Sequence, residues 1–175
     1  MMFRYNLNMD INRRNNFNIK YYDSLIYSKD KRNIQKEILK HSERDYKKAD
    51  FIIAYENKTR IKYNELMKKH LKIKNKFDIG CKLICKTNDL KEENIYNNFT
   101  YTVLKKDSNN VYLSDNKKIS LEDLEHFQYN YAGTTYNIQG QTINSYYFCK
   151  EDIKYINNNV GYTIISRLKQ KTEKK

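Results

Sequence analysis

Apolar positions recur along this chain with two different periods, and the change of period divides it into three stretches. From Ile19 to Lys72 the spacing is mostly helical. Tyr22, Leu25 and Ile26 share one face of a helix predicted over Ile19–Tyr27. Ile34, Ile38 and Leu39 form the inward face of a second, from Asp30 to Lys47, with Ser28 or Asp30 as its cap. The run Asp50–Tyr55, DFIIAY, is apolar inside and bounded by charge, as a short buried strand is. A third helix follows over Lys58–Lys72, where Tyr63, Leu66, Met67, His70 and Leu71 fall on one stripe. A strand followed by an amphipathic helix reads as one unit of an α/β sheet.

Between Phe77 and Phe127 the period shortens. Cys81–Thr87, Thr100–Lys105, Val111–Ser114 and Lys117–Ser120 are strand-like, separated by turn-rich Asn88–Asn98, Asp107–Asn110 and Asp115–Asn116. Strands this short and close predict a small antiparallel barrel, with Leu121–Phe127 as a helical turn leading out. The α/β character then returns, with a strand at Ser145–Cys149 and a helix over Val160–Lys169, before a basic tail. The expected architecture is an α/β domain interrupted by a small β-barrel.

One stretch concentrates hydrogen-bonding chemistry. Tyr131–Thr142, YAGTTYNIQGQT, follows a strand-like lead-in (Phe127, Tyr129, Tyr131) and carries Thr134, Thr135, Gln139, Gln141 and Thr142. Two of the four glycines, Gly133 and Gly140, fall within it, where they would let a ligand approach the backbone. It reads either as a site at the end of a sheet strand or as a polar connection.

Composition narrows the function classes. The 175 residues suffice for one domain with a small insert; 17 Tyr and 7 Phe supply core material to a chain only 39% hydrophobic. A formal charge of +13, with basic residues interleaved among aromatic ones, favours a polyanionic partner: nucleic acid first, an acidic membrane surface second. Abundant Asn, Lys, Tyr and Ile are also what an A/T-rich coding sequence produces, as in a large DNA virus. Cys81 and Cys85 would lie ~13 Å apart along a strand, too far to bridge. Reduced thiols, no metal site and an intracellular, cytoplasmic (or, if viral, replication-site) location are therefore expected, without a membrane partner.

Three separated segments resemble, in order, motifs IV, V and VI of superfamily 1 DNA helicases. They are Asn12-Arg13-Arg14-Asn15, Tyr131–Thr142 and Gly161–Lys169, GYTIISRLK. The spelling is most similar to the RecD-like and Dda-like branch, which the Asn57, Arg60, Asn64 spacing also resembles. The resemblance implies a RecA-like three-layer α/β domain in two segments, 1–76 and 129–175, around an SH3-like barrel at 77–128.

It further implies site residues. Arg167 matches the motif VI arginine finger and Arg14, or Arg13 in the competing register, the motif IV arginine. Both types suit the charge that develops in phosphoryl transfer. Gln139 and Gly140 match nucleotide-facing positions of motif V. Thr134, Thr135, Tyr136 and Thr142 belong to the part that approaches single-stranded DNA. Tyr136 and Asn137 stand where the family has histidine and lysine, which removes a cation but leaves a ring able to stack. Asn98 stands where the family often has glycine, and asparagine tolerates a left-handed backbone. No G-x-x-x-x-G-K-[ST] phosphate loop occurs in the chain. ATP with Mg²⁺ would thus be held mainly by a separate, Walker-bearing first RecA-like domain. A non-catalytic nucleic-acid-binding module derived from a helicase is the alternative.

Overall fold

The computed structural model describes residues 24–138 and 142–168. Arg13, Arg14, Gln139, Gly140, Gln141 and the basic tail lie outside them, as does most of the first expected helix.

Two sheets organise these residues. The first is parallel, with strands β1 (Phe51–Ala54), β7 (Ala132–Thr134) and β8 (Tyr146–Phe148) in the order β7-β1-β8. All four residues of β1 are buried, because the central strand is covered on both faces. Phe51 and Ile53 point into one core with Ile34, Ile38, Ile164 and Ile165, while Ile52 and Ala54 point into another with Tyr63 and Met67. Helices α1 (Arg32–His41) and α3 (Asn158–Ile165) therefore form one layer and α2 (Asn57–His70) the opposite one. The result is the three-layer α/β arrangement expected.

The helices differ from expectation at their ends, each time for a local reason. α1 stops at His41 rather than Lys47, since Ser42 and Glu43 leave the helix to bond the outer edge of β8. The Phe148 amide donates to Ser42 Oγ at 2.9 Å, and the Glu43 amide to the Tyr146 carbonyl at 2.7 Å. α3 starts two residues early, where Asn157 Oδ1 accepts from the Val160 amide at 3.0 Å. On α2 the buried face is Thr59, Tyr63, Asn64 and Met67; His70 and Leu71 overhang the four-residue strand and are exposed.

The second sheet is antiparallel, in the order β5-β4-β3-β2-β6. Its strands are β2 (Lys82–Cys85), β3 (Thr100–Lys106), β4 (Asn110–Leu113), β5 (Lys117–Ser120) and β6 (Phe127–Tyr129). A 3-10 turn, Glu122–His126, leads from β5 into β6. Its own core contains Leu83, Cys85, Tyr101, Val103, Val111, Leu113 and Phe127. The strands come where the spacing predicts them, but β5 and β6 remain unpaired edges: among the described residues this is an open sheet, not a closed barrel. Asn98 has φ 64°, the left-handed backbone for which asparagine is suited. Cys81, Cys85 and Cys149 are unpaired and buried. No described helix is long and apolar enough to cross a membrane.

Gly161 is where α3 meets α1 most closely. A Cβ there would lie 2.4 Å from Ile34 Cγ1 and 3.2 Å from Ile38 Cδ1. Gly161→Ala is expected to lower the unfolding free energy by about 1–3 kcal/mol through overpacking, read as a reduced urea midpoint at unchanged slope.

Candidate nucleic-acid interface

The stretch Tyr131–Thr142 begins as β7, and one side chain of α2 holds it. Asn64 Oδ1 accepts from the Tyr131 amide (2.9 Å) and the Ala132 amide (3.1 Å). Its Nδ2 donates to the Ala132 carbonyl (2.8 Å) and the Arg60 carbonyl (3.0 Å). Tyr131 also reaches the antiparallel sheet, its phenolic oxygen accepting from the Lys82 amide at 3.2 Å. Burial pushes that phenol up to about 12.

Beyond β7 the chain turns tightly. The Thr135 amide donates to the Ala54 carbonyl at 3.2 Å and the Asn137 amide to the Thr134 carbonyl at 2.9 Å. Thr134 Oγ1 donates to Asn137 Oδ1 at 3.4 Å. Ile138 is fully buried in the α1–α3 core. This anchoring turns Tyr136 outward, 70% exposed, at the carboxyl end of β7. Thr135, by contrast, is buried and faces the protein. Gly133 serves packing rather than ligand approach: a Cβ there would fall 2.6 Å from the Phe51 ring. The expectation of an open backbone at Gly133 is corrected accordingly.

Arg167 lies just past α3. Its carbonyl accepts from the Ile143 amide at 2.8 Å, and Leu168 bridges Ile143 in parallel. The segment after Tyr131–Thr142 and the end of α3 are thus joined by backbone. The Arg167 Nε is buried without a hydrogen-bond partner, and no carboxylate pairs with the guanidinium among the described residues. Thr142 is exposed on a 160 Å³ cleft shared with Lys82, Asn130 and Ile143. A neighbouring cleft between α2 and β1 holds 230 Å³. Neither reaches the roughly 300 Å³ at which small-molecule sites begin.

Two features escaped sequence reasoning. Asp152 sits in a charged run, Lys150–Tyr155, yet it is almost wholly buried. Its Oδ2 accepts from the Tyr55 (2.7 Å) and Glu56 (3.0 Å) amides, and its Oδ1 from Thr59 Oγ1 (3.0 Å). The amino end of α2 therefore already holds an internal anion. The second is a pair of cations beside Tyr136's end of the sheet. Arg60 Nη1 donates to Gln128 Oε1 at 3.4 Å, and Lys86 Nζ to Asn98 Oδ1 at 2.9 Å.

No protein-family model and no curated protein matches the chain by sequence. Solved structures do match its fold. Bacteroides Pif1 bound to ssDNA aligns at a TM-score of 0.60 and 13% identity, over 87% of this chain and 46% of that one. A structure of DNA unwinding at forked dsDNA by two coordinating Pif1 helicases gives 0.58, 12%, 87% and 44%. Bacteroides Pif1 in complex with ADP-AlF3 and ssDNA gives 0.55, 14%, 87% and 46%. Over most of its length the chain shares the fold of these Pif1 structures. The likeness is one of fold and does not reach the RecD-like or Dda-like branch. The chain spans less than half the length of these helicases.

Asn64→Ala removes partners from two amides and a carbonyl at the start of β7. It is expected to lower stability by about 2–4 kcal/mol, measured by urea denaturation, with Asn57→Ala on the exposed first turn of α2 as a near-neutral control.

Proposed function

We propose that this chain is the second RecA-like domain of an ATP-dependent DNA helicase, divided at 1–76 and 129–175 by an SH3-like insert at 77–128. The reading rests on one observation above the others. Motif V-like and motif VI-like segments, distant in sequence, meet through the Ile143–Arg167 backbone bond, and among the described residues the Arg167 guanidinium has no carboxylate partner. The motif spelling supports the RecD-like and Dda-like branch; the fold match with Pif1 supports the superfamily.

In this reading Arg167, and Arg14 from the amino-terminal segment, stabilise charge developing on the transferred phosphoryl group. A guanidinium suits that task, being permanently charged and offering a planar fork of donors. Gln139 and Gly140 face the same nucleotide, ATP with Mg²⁺, which the phosphate loop of a separate first domain holds. Hydrolysis supplies the free energy for movement along the strand. Tyr136 offers a stacking face, Thr134 and Thr142 offer hydroxyls to single-stranded DNA, and buried Thr135 holds the turn in place. Neither the nucleotide nor the strand is read for sequence by these groups.

The absence of a phosphate loop from the sequence favours the second reading, strand binding without catalysis. One experiment separates them. The chain is mixed with, or fused to, a first RecA-like domain bearing a phosphate loop, and DNA-stimulated ATP hydrolysis is measured. The expected outcome is stimulation that Arg167→Ala lowers by about 10³-fold. Hydrolysis equal to that of the first domain alone, with wild type and variant indistinguishable, rejects the catalytic reading. Salt-dependent strand binding in that case leaves the binding module standing.

A further inference from the structure

The antiparallel sheet carries a polar strip on the face away from its core. Lys82 and Ile84 of β2 lie opposite Thr102 and Thr100 of β3, with Ile84 fully buried between the polar ends, and just past β2 Lys86 reaches Asn98. Gln128 of β6 stands beside Ile84, and the Lys86 amide donates to the His126 carbonyl at 2.8 Å. At the Lys86 end the strip meets the first turn of α2. There Arg60 Nε donates to Asn57 Oδ1 at 2.8 Å, and its Nη1 to Gln128.

The two cations are held at one place without an anion. Other basic residues nearby have partners: Lys58 pairs with Glu56 at 3.1 Å and Lys62 with Glu151 at 2.9 Å. Among the described residues Arg60 and Lys86 have no carboxylate within 4.0 Å, and both are half-buried. Burial lowers the affinity of each for its proton, and the Arg60 charge lowers that of Lys86 further. Holding like charges together in this way costs folding free energy, and a bound anion would offset that cost. Beside Lys86, across the end of the β2–β3 ladder, Phe99 is 60% exposed and Tyr96 45% exposed, their ring centroids 5.7 Å apart. Exposed rings and cations without a carboxylate thus share this end of the sheet among the described residues, the combination that single-strand binders present.

We propose that Arg60 and Lys86 form a phosphate clamp for single-stranded nucleic acid, with Phe99 and Tyr96 as its stacking platform. The clamp spans the joint between α2 and the antiparallel sheet, so the insert holds the strand directly. It carries the strand onward from Tyr136 and Thr134 at the carboxyl end of β7. This inference rests on the reading that the chain binds single-stranded DNA, and it adds to the segments resembling motifs IV, V and VI a contact made by α2 and the antiparallel sheet. Backbone charge and ring stacking are its only means of recognition, so it takes any base sequence.

The test is fluorescence anisotropy of the full chain with a dye-labelled oligothymidylate of about 12 nucleotides across a salt series. Arg60→Gln and Lys86→Gln are each expected to weaken binding roughly ten-fold and to lower the slope of log K against log salt by about 0.7. Lys86→Arg keeps wild-type affinity and slope. Phe99→Ala weakens binding without altering the slope. Lys118→Gln on β5, at the opposite edge of the sheet, controls for net charge and leaves both quantities unchanged. Among the described residues Lys86 has only Asn98 as a side-chain partner, so Lys86→Gln decides the matter even if Arg60→Gln unfolds. Wild-type binding with Lys86→Gln indistinguishable from Lys118→Gln overturns the clamp and leaves strand binding intact. No salt-dependent binding by the wild-type chain overturns both.

Discussion

Three hydrogen bonds of the buried Asn64 side chain tie α2 to the first residues of β7, and the candidate interface hangs from that tie. β7 is only three residues long and sits at the edge of its sheet, with β1 on one side alone. Asn64 supplies the partners that a further strand would otherwise provide. With β7 seated, the turn at Thr134–Asn137 has a firm base. Ile138 then anchors its far side in the opposite core. Tyr136 projects because its neighbours on both sides are held.

A second buried polar group complements this one. Asp152 reaches from the turn after β8 to the start of α2, and so fixes the same helix at its other end of contact. Asn64 and Asp152 together set α2 relative to all three strands of the parallel sheet. That placement in turn puts Arg60 against Gln128 and brings the antiparallel sheet alongside. Arg60 meets the antiparallel sheet, and β7 is seated, because one helix positions both.

Much of the skeleton was legible in the chain. The run Phe51–Ala54 could only be a covered strand, and Ile34 with Ile38 only a buried helix face. Asp115 and Asn116, with φ 59° and 55°, form the tight turn between β4 and β5 that their residue types foretell. What periodicity does not carry is pairing between distant polar residues. Asn64 looks like part of a solvated helix face, yet its partners lie 67 and 68 residues away. Asp152 looks like one charge in a charged run, yet its amide partners lie 97 and 96 residues away. Gly133 pointed to open backbone, whereas a phenyl ring fills the space. Closure of the barrel was likewise beyond local pattern, since it depends on whether β5 and β6 meet. Arg60 stands out only within the Asn57, Arg60, Asn64 spacing and Lys86 not at all in a chain with 34 basic residues; their convergence is not legible in the sequence.

The Asn64 tie has a consequence for solubility as well. A short apolar edge strand with unsatisfied amides is a template on which another chain can pair, the usual start of edge-to-edge aggregation. By spending a side-chain amide on Ala132 and Tyr131, the protein closes that template with a group that cannot propagate a sheet. Loss of Asn64 would therefore do more than loosen one strand. It would convert the margin of the parallel sheet into a sticky edge.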